Sequence, residues 1–390
     1  GTGYDQVNVI GATNLNGAFL DVVPGFQPTV GQQFTIINND GSDPVQGTFD
    51  GLAQGAGFGA GGAFFKINYQ GGDGNDVVLT ATGPPPVSIL TAPGSGGGPN
   101  VKSFGGRNLS FFAGQPGTGG ASVAAGNVLG GDLDDIVVGS GPGVPSRVIV
   151  YNGDGTPSGV SFSPYGDAFT GGVNVGVADI NGDGIDEIVT GAGAGGGPNV
   201  RVFDGDGSPL TSFFAYDAGF HGGVTVAGAD VTADGIDEIV TGPGPGGGPN
   251  VKALSADGRT QWLTFSAYAD DFHGGVNVAG ADIDGDGRSE IVTGPGPGGG
   301  PHVRVFGRGG APFGGGFFAF DPGFVGGVFV ASIPDFARHH DDILVGAGPG
   351  GGPNVKGFLP DGTPVNSFFA YDAGFHGGVR VAGAVLNAPQ

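Results

Sequence analysis

Along most of the chain, short runs of β-branched and aromatic residues alternate with polar positions and are cut by Gly, Asp or Pro. A period of two with such boundaries predicts strands, and no segment carries a helical pattern of useful length. One stretch shows the order well: Val173-Asn174-Val175, an acidic loop from Asp179, Glu187-Ile188-Val189-Thr190, then a Gly/Pro turn. Val200-Arg201-Val202-Phe203, a Gly-Asp-Gly turn and Ser212-Phe213-Phe214-Ala215-Tyr216 complete it.

That order repeats. The Gly/Pro turn is marked by Pro99, Pro145, Pro198, Pro249, Pro301 and Pro353, spaced 46 to 53 residues apart. A first-strand segment starts at Ala121, Val173, Val224, Val276, Val328 and Val379. A second-strand segment carries Ile89, Ile136, Ile188, Ile239, Ile291 and Ile343. Four strands in about fifty residues, repeated, predict the blades of a β-propeller. The repeat region opens on a second strand, Val87-Ser88-Ile89-Leu90, and closes on a first strand, Val379-Arg380-Val381-Ala382. Such an offset lets the last strand complete the first blade, leaving only short, protected sheet edges. The expected fold is all-β: a six-bladed β-propeller over residues 87–390, its first blade closed by the C-terminal strand.

Residues 1–82 lack the repeat but alternate in the same way, as in Gln32-Gln33-Phe34-Thr35-Ile36-Ile37 and Phe64-Phe65-Lys66-Ile67-Asn68-Tyr69. They predict a small, separate all-β domain, joined through a stiff Pro-rich linker at 83–86. Gly71 to Leu79 fits a calcium nonapeptide, but that motif works by stacking and occurs once, so a plain turn is expected.

Composition narrows the function. Glycine (91) and proline (29) approach a third of 390 residues, yet their long fixed spacing excludes both collagen and disorder. The net charge of −23 disfavours nucleic acid and anionic lipid and attracts divalent cations. There is no cysteine, hence no disulfide or thiol chemistry, and no apolar run reaches membrane-spanning length.

Much of the acid sits between first and second strands. Three nine-residue loops align: Asp179, Asn181, Asp183, Ile185 and Glu187; Asp230, Thr232, Asp234, Ile236 and Glu238; Asp282, Asp284, Asp286, Arg288 and Glu290. Side-chain oxygens at positions 1, 3, 5 and 9, with the backbone carbonyl at position 7, suit a hard cation that takes six to eight oxygens. Calcium fits better than magnesium, which keeps several waters. Position 12 is Thr190, Thr241 or Thr293, and the flanks read as strands, so a helix–loop–helix calcium site is excluded. The loop from Asn127 to Asp135 has Leu129 and Gly131 at positions 3 and 5 and is expected to bind nothing. Ser332 to Asp342 is disrupted by Pro334 and His339-His340, and the sixth copy stops at Asn387-Ala388-Pro389-Gln390.

The acidic loops and Gly/Pro turns resemble the FG-GAP repeats of integrin α-chain propellers and their bacterial relatives, over about 300 residues and most specifically in the three central loops. The resemblance implies ions that fix blade geometry, and surface display, adhesion or ligand binding. Six repeats rather than seven prevent integrin ligand sites from being carried over. Residues 1–82 resemble, more weakly, the terminal part of bacterial β-solenoid and autotransporter-like surface proteins.

Other candidates read as structural. Gly242-Pro243-Gly244-Pro245-Gly246-Gly247 satisfies a nucleotide-binding pattern, but a strand follows where a helix is needed. His221, His273 and His376 occupy equivalent places in three repeats and are expected to face solvent rather than meet at a metal. The aromatic stripe (Phe213, Phe214, Tyr216; Phe368, Phe369, Tyr371), with Trp262 on a related strand, is expected to pack between neighbouring sheets. No Ser sits in a G-x-S-x-G elbow, and the carboxylates are claimed by loops, so no enzyme is expected; an axial site stays open. The expected role is a calcium-stabilised structural or adhesive protein, extracellular or at the cell surface, self-associating head to tail into a fibre. The alternative is a module that binds a cell-surface glycan or protein.

Overall fold

The computed structural model describes all residues except 1–2, 24, 27, 40–42, 50–51, 61–62, 85, 115, 132 and 387–390. The sixth acidic loop and Pro85 of the linker therefore lie outside the described residues. The chain divides into two compact units, Gly1–Pro85 with Gly130–Asp132, and Pro86–Leu129 with Leu133–Gln390. Among the described residues the structure is nearly all-β, with one short 3-10 turn at Arg308–Gly310.

The first unit holds a five-stranded sheet in the order Val7–Val9, Gln33–Asn39, Asp76–Thr82, Ala63–Gly71, Gly57–Ala60. Its first pair is parallel and the rest antiparallel. Alternation places Phe34, Phe65, Ile67, Val77 and Leu79 on the buried face. The nonapeptide segment forms the turn between Ala63–Gly71 and Asp76–Thr82, and the Asp76 carboxylate accepts the Asn39 N–H at 2.9 Å.

The second unit contains six four-stranded antiparallel sheets among the described residues. Sheet III is representative, running Val173–Ala178, Glu187–Ala192, Asn199–Phe203, Pro209–Phe214 in order. Sheets II, IV, V and VI begin at Ala121, Val224, Val276 and Val328 and repeat that simple order. Sheet I differs: Leu109–Phe112, Asn100–Gly105 and Val87–Pro93 are completed by Val379–Val385, which pairs with Val87–Pro93 over seven residues.

Burial is highest in the second strands and falls toward the fourth, and the sequence follows it. The second strand Glu187–Ala192 is buried at every residue and, after its Glu, is apolar or small except for Thr190. The fourth strand Pro209–Phe214 is half-exposed and alternates. Each hydrophobic cluster of this unit spans two successive sheets: Val137, Val148 and Val150 of sheet II, for instance, pack on Val173, Val175 and Ile188 of sheet III. The same relation joins sheet VI to sheet I, through Leu344 and Val355 on Ile89, Val379 and Val381. Burying one such Ile or Val side chain stabilises the fold by about 1.5–3 kcal/mol.

Two repeated devices account for residues the sequence merely repeats. A Cβ on Gly244 would stand 2.0 Å from the Gly222 carbonyl oxygen, and on Gly348 2.1 Å from that of Gly326, so only glycine lets these turns close. The Tyr216 hydroxyl, following the fourth strand of sheet III, lies between the carbonyls of Thr241 (2.9 Å) and Asn250 (2.8 Å) in sheet IV, which share its one proton. Tyr371 repeats this from sheet VI onto Thr91 and Asn100 of sheet I.

Candidate functional site: acidic loops and a central cavity

Each acidic loop is organised around its position-1 carboxylate. Asp179 Oδ1 accepts the N–H of Gly182 at 2.7 Å and Oδ2 that of Gly184 at 2.8 Å. Asp230 holds Ala233 and Gly235, and Asp282 holds Gly285 and Gly287, in the same way. Gly184, Gly235 and Gly287 adopt φ near +80° (81°, 82° and 84°), the left-handed turn that curls the loop back. The position-9 carboxylates point inward too: Glu187, Glu238 and Glu290 each accept the position-2 N–H at 3.0 Å.

In the third loop, oxygens of Asp282, Asp284 and Glu290 lie within 4.8 Å of one another. The first two loops have Asn181 and Thr232 at position 3, whose side chains reach Glu187 and Glu238 at 3.0 and 3.4 Å. The position-5 carboxylates Asp183, Asp234 and Asp286 instead accept the N–H of Ile185, Ile236 and Arg288. Burial, then the neighbouring aspartates, pushes Glu238 and Glu290 up to about 7 and raises Glu187 as well. Three acidic groups gathered with no basic side chain among them are a donor set that a hard cation neutralises.

The degenerate loops differ in mechanism. At 332–342 the strands Val328–Asp335 and His340–Ala347 stay paired up to Asp335 and His340, so a tight turn replaces the nine-residue loop. Arg338 forms an ion pair with Asp335, putting a guanidinium where the other loops gather acid. In the loop from Asn127, Asp135 accepts the Leu129 N–H at 2.9 Å.

Position 8, which the sequence reading left without a role, links the loops. The Asp237 N–H donates to the Asp179 carbonyl at 2.8 Å, and the Asp237 carboxylate accepts the Asp179 N–H at 3.2 Å. Asp186 latches Asn127, Asp341 latches Asp282, and Asp134 latches Val385 with the same pair of bonds. Ser289 keeps only the backbone half, to Asp230. Burial is the main cause that pushes Asp134, Asp186 and Asp341 up to about 6 and Asp237 to about 7. Asp recurs here even in the two loops that lost the metal pattern, which is the sequence signal that marks a separate task.

At the opposite strand ends lies a cavity of about 260 Å³, reached by Gly94, Gly141, Gly193, Gly244, Gly296 and Gly348 of the six Gly/Pro turns. His221, His273 and His376 are exposed, and their carbonyls accept the N–H of Gly195, Gly246 and Gly350. The aromatic stripe corrects the sequence reading in part. Its first phenylalanine packs between sheets, as Phe368 on Phe104 with centroids 4.7 Å apart. Its second is exposed: Phe214 at 56%, Phe369 at 57%, and equivalently Phe112 and Phe318, with Trp262 exposed on its own fourth strand.

No family model and no curated protein matches the chain. Among solved structures it is similar to a protein of unknown function from Bacteroides caccae, at 12% identity over 77% of this chain and 99% of that one, TM-score 0.46. It is also similar to the rhamnogalacturonan lyase YesW (14% identity, 95% and 78% covered, TM-score 0.38) and the Dos1 propeller (12%, 83% and 76%, 0.38). Likenesses this distant carry no function to the present chain.

Proposed function

We propose that this protein is a non-catalytic, extracellular structural or adhesive protein: a closed six-bladed β-propeller of FG-GAP type, stiffened by calcium and associating with itself into a fibre. The cyclic succession of inter-sheet clusters, with sheet VI packed on sheet I, supports the closed ring. The gathering of Asp282 and Asp284 against the buried Glu290, whose carboxyl burial raises to about 7, carries the calcium reading. Calcium would be held by positions 1, 3, 5, 7 and 9 of the three central loops, and through Asp237 and Asp341 each bound ion would stiffen the neighbouring sheet as well. Self-association is supported by the first unit, where Val7, Ile10, Phe19 and Val23 are 58% to 90% exposed.

A second reading, a module that binds a glycan or protein, is favoured by the exposed Phe112, Phe214, Phe318 and Phe369 on the outer strands. A glycan array, with Phe214→Ser and Phe369→Ser as controls, separates it from the first.

The decisive experiment is thermal unfolding with calcium and with chelator, with particle size followed by light scattering. A site saturated a hundredfold adds about 2.7 kcal/mol, and Glu290→Gln removes one site's share. An unchanged melting temperature removes the calcium reading. Particles that stay monomeric across concentration and calcium remove the fibre.

A further inference from the structure

The first strands share a V-x-V pattern, Ala121-Ser122-Val123 in sheet II, whose middle residue faces a central cavity. These residues are Ser122, Asn174, Thr225, Asn277, Phe329 and Arg380, one from each sheet, and all six line both the 260 Å³ cavity and an adjoining one of 70 Å³. Both volumes far exceed the ~15 Å³ that one water needs.

Four of the six are fixed by backbone groups. Asn174 Nδ2 donates to the Val224 carbonyl at 2.8 Å, Thr225 Oγ1 to that of Val276 at 2.6 Å, and Asn277 Nδ2 to that of Val328 at 2.7 Å. Ser122 Oγ accepts the Val175 N–H at 3.3 Å. The ring is therefore oriented, with the Asn oxygens left to accept a hydroxyl and the Ser122 hydroxyl left to donate.

Arg380 breaks this pattern. Its guanidinium lies 4.6 Å from the Phe329 ring centroid. Among the described residues it has neither an ion pair nor a side-chain hydrogen bond; the acidic side chains that do pair with cations serve Arg147, Arg259, Arg338 and His340. The side chain is partly buried where it lines the cavity, and that burial draws its pKa down to about 10. It still carries its charge at neutral pH. A partly buried cation with no counter-ion, in a protein of net charge −23, is a ready partner for an anion. The three acidic loops lie at the other end of the sheets, and no Asp or Glu is among the residues lining either cavity.

We propose that the central cavity binds a small oxyanion, carboxylate or inorganic, through the guanidinium of Arg380, with Ser122, Asn174 and Asn277 engaging the rest of the ligand. Arg presents a planar fork of donors that matches such a group. The rival role, a plug held by Phe329 alone, needs no anion.

The test is isothermal titration and thermal unfolding of the calcium-loaded full chain in low-salt buffer, adding chloride, acetate, sulfate or glucuronate, with glucose as the neutral control. Wild type should bind one anion per chain with a saturable rise in melting temperature. Arg380→Met should show no such rise and, with its uncompensated charge gone, melt higher than wild type before any anion is added. Tighter binding of sulfate assigns the site to an inorganic oxyanion, and glucuronate well above acetate assigns it to an acidic sugar; either supports the proposal. Absence of one-site binding by acetate, sulfate and glucuronate overturns it, whatever chloride does, as does an equal response in Arg380→Met. Should that variant fail to fold, Arg380→Lys supplies the comparison: the loss of the planar fork should weaken the preferred oxyanion about tenfold, and unchanged affinity counts against the assignment.

Discussion

Asp237 gives the sharpest test of how the loops are coupled. Its carboxylate accepts the Asp179 N–H at 3.2 Å, in a site where burial, then the charges of Asp186, Asp179 and Asp230, push its carboxyl up to about 7. Moving that group from 3.8 to about 7 carries up to about 4 kcal/mol of pH-linked free energy. The folded state holds the proton more tightly than the unfolded chain does. The contribution is therefore full below about pH 4 and is lost as pH rises through about 7. Asp237→Asn keeps an oxygen for the Asp179 N–H and removes the charge. In chelator it should gain on wild type at pH 8 and lose that gain at pH 5. Asp237→Ala also removes the charge but leaves the Asp179 N–H without its acceptor, so it should be about 1–3 kcal/mol less stable than the Asn variant at both pH values. Urea unfolding of the three proteins at the two pH values reads all of this. A wild-type-to-Asn difference that is the same at pH 5 and pH 8 refutes the reasoning, and so does an Ala variant as stable as the Asn one.

Other expectations follow from single contacts. Without cation, the whole chain should lose stability between pH 5 and pH 8, because Asp134, Asp186, Asp341, Glu238 and Glu290 are also raised to about 6 or 7; calcium should flatten that dependence in melting scans. Gly244→Ala, whose Cβ would stand 2.0 Å from the Gly222 oxygen, should destabilise strongly, whereas Gly248→Ala, with nothing within 4 Å, should leave the melting temperature almost unchanged. Tyr216→Phe should cost about 0.5–1.5 kcal/mol in urea unfolding, since Phe320 already fills the equivalent place in sheet V without a hydroxyl.

The two-residue alternation made the strands legible. The first-strand segments at Val173, Val224 and Val276 begin the strands Val173–Ala178, Val224–Ala229 and Val276–Ala281, because one face of each strand is buried and the period cannot slip. In the first unit, Gly57–Ala60 and Val7–Val9 went unread, being short, glycine-rich or mostly exposed. What alternation cannot show is a partner on another sheet. The second phenylalanine of the stripe looks as apolar as the first, yet Phe213 lies against sheet IV while Phe214 does not. The middle residue of V-x-V reads as any exposed strand position, and only the meeting of six sheets turns Ser122, Asn174 and Arg380 toward one cavity. Position 8 needed the same long-range view, since Asp237 and Asp179 lie 58 residues apart.

Sheet I joins the strand Val87–Pro93, among the first that a ribosome delivers in the repeat region, to Val379–Val385, among the last. Until the later strand arrives, Val87–Pro93 has one flank open, and Ile89 and Leu90 lack part of their cover. Such a contact spans nearly the whole unit, so its loop-closure cost falls late in folding, after the local hairpins have formed. Sheets II to VI can form in the order they are made, but the seam at sheet I waits. The same seam sets the order of loss: in a chain pulled or heated apart, release of Val379–Val385 uncovers residues packed on both sheet II and sheet VI.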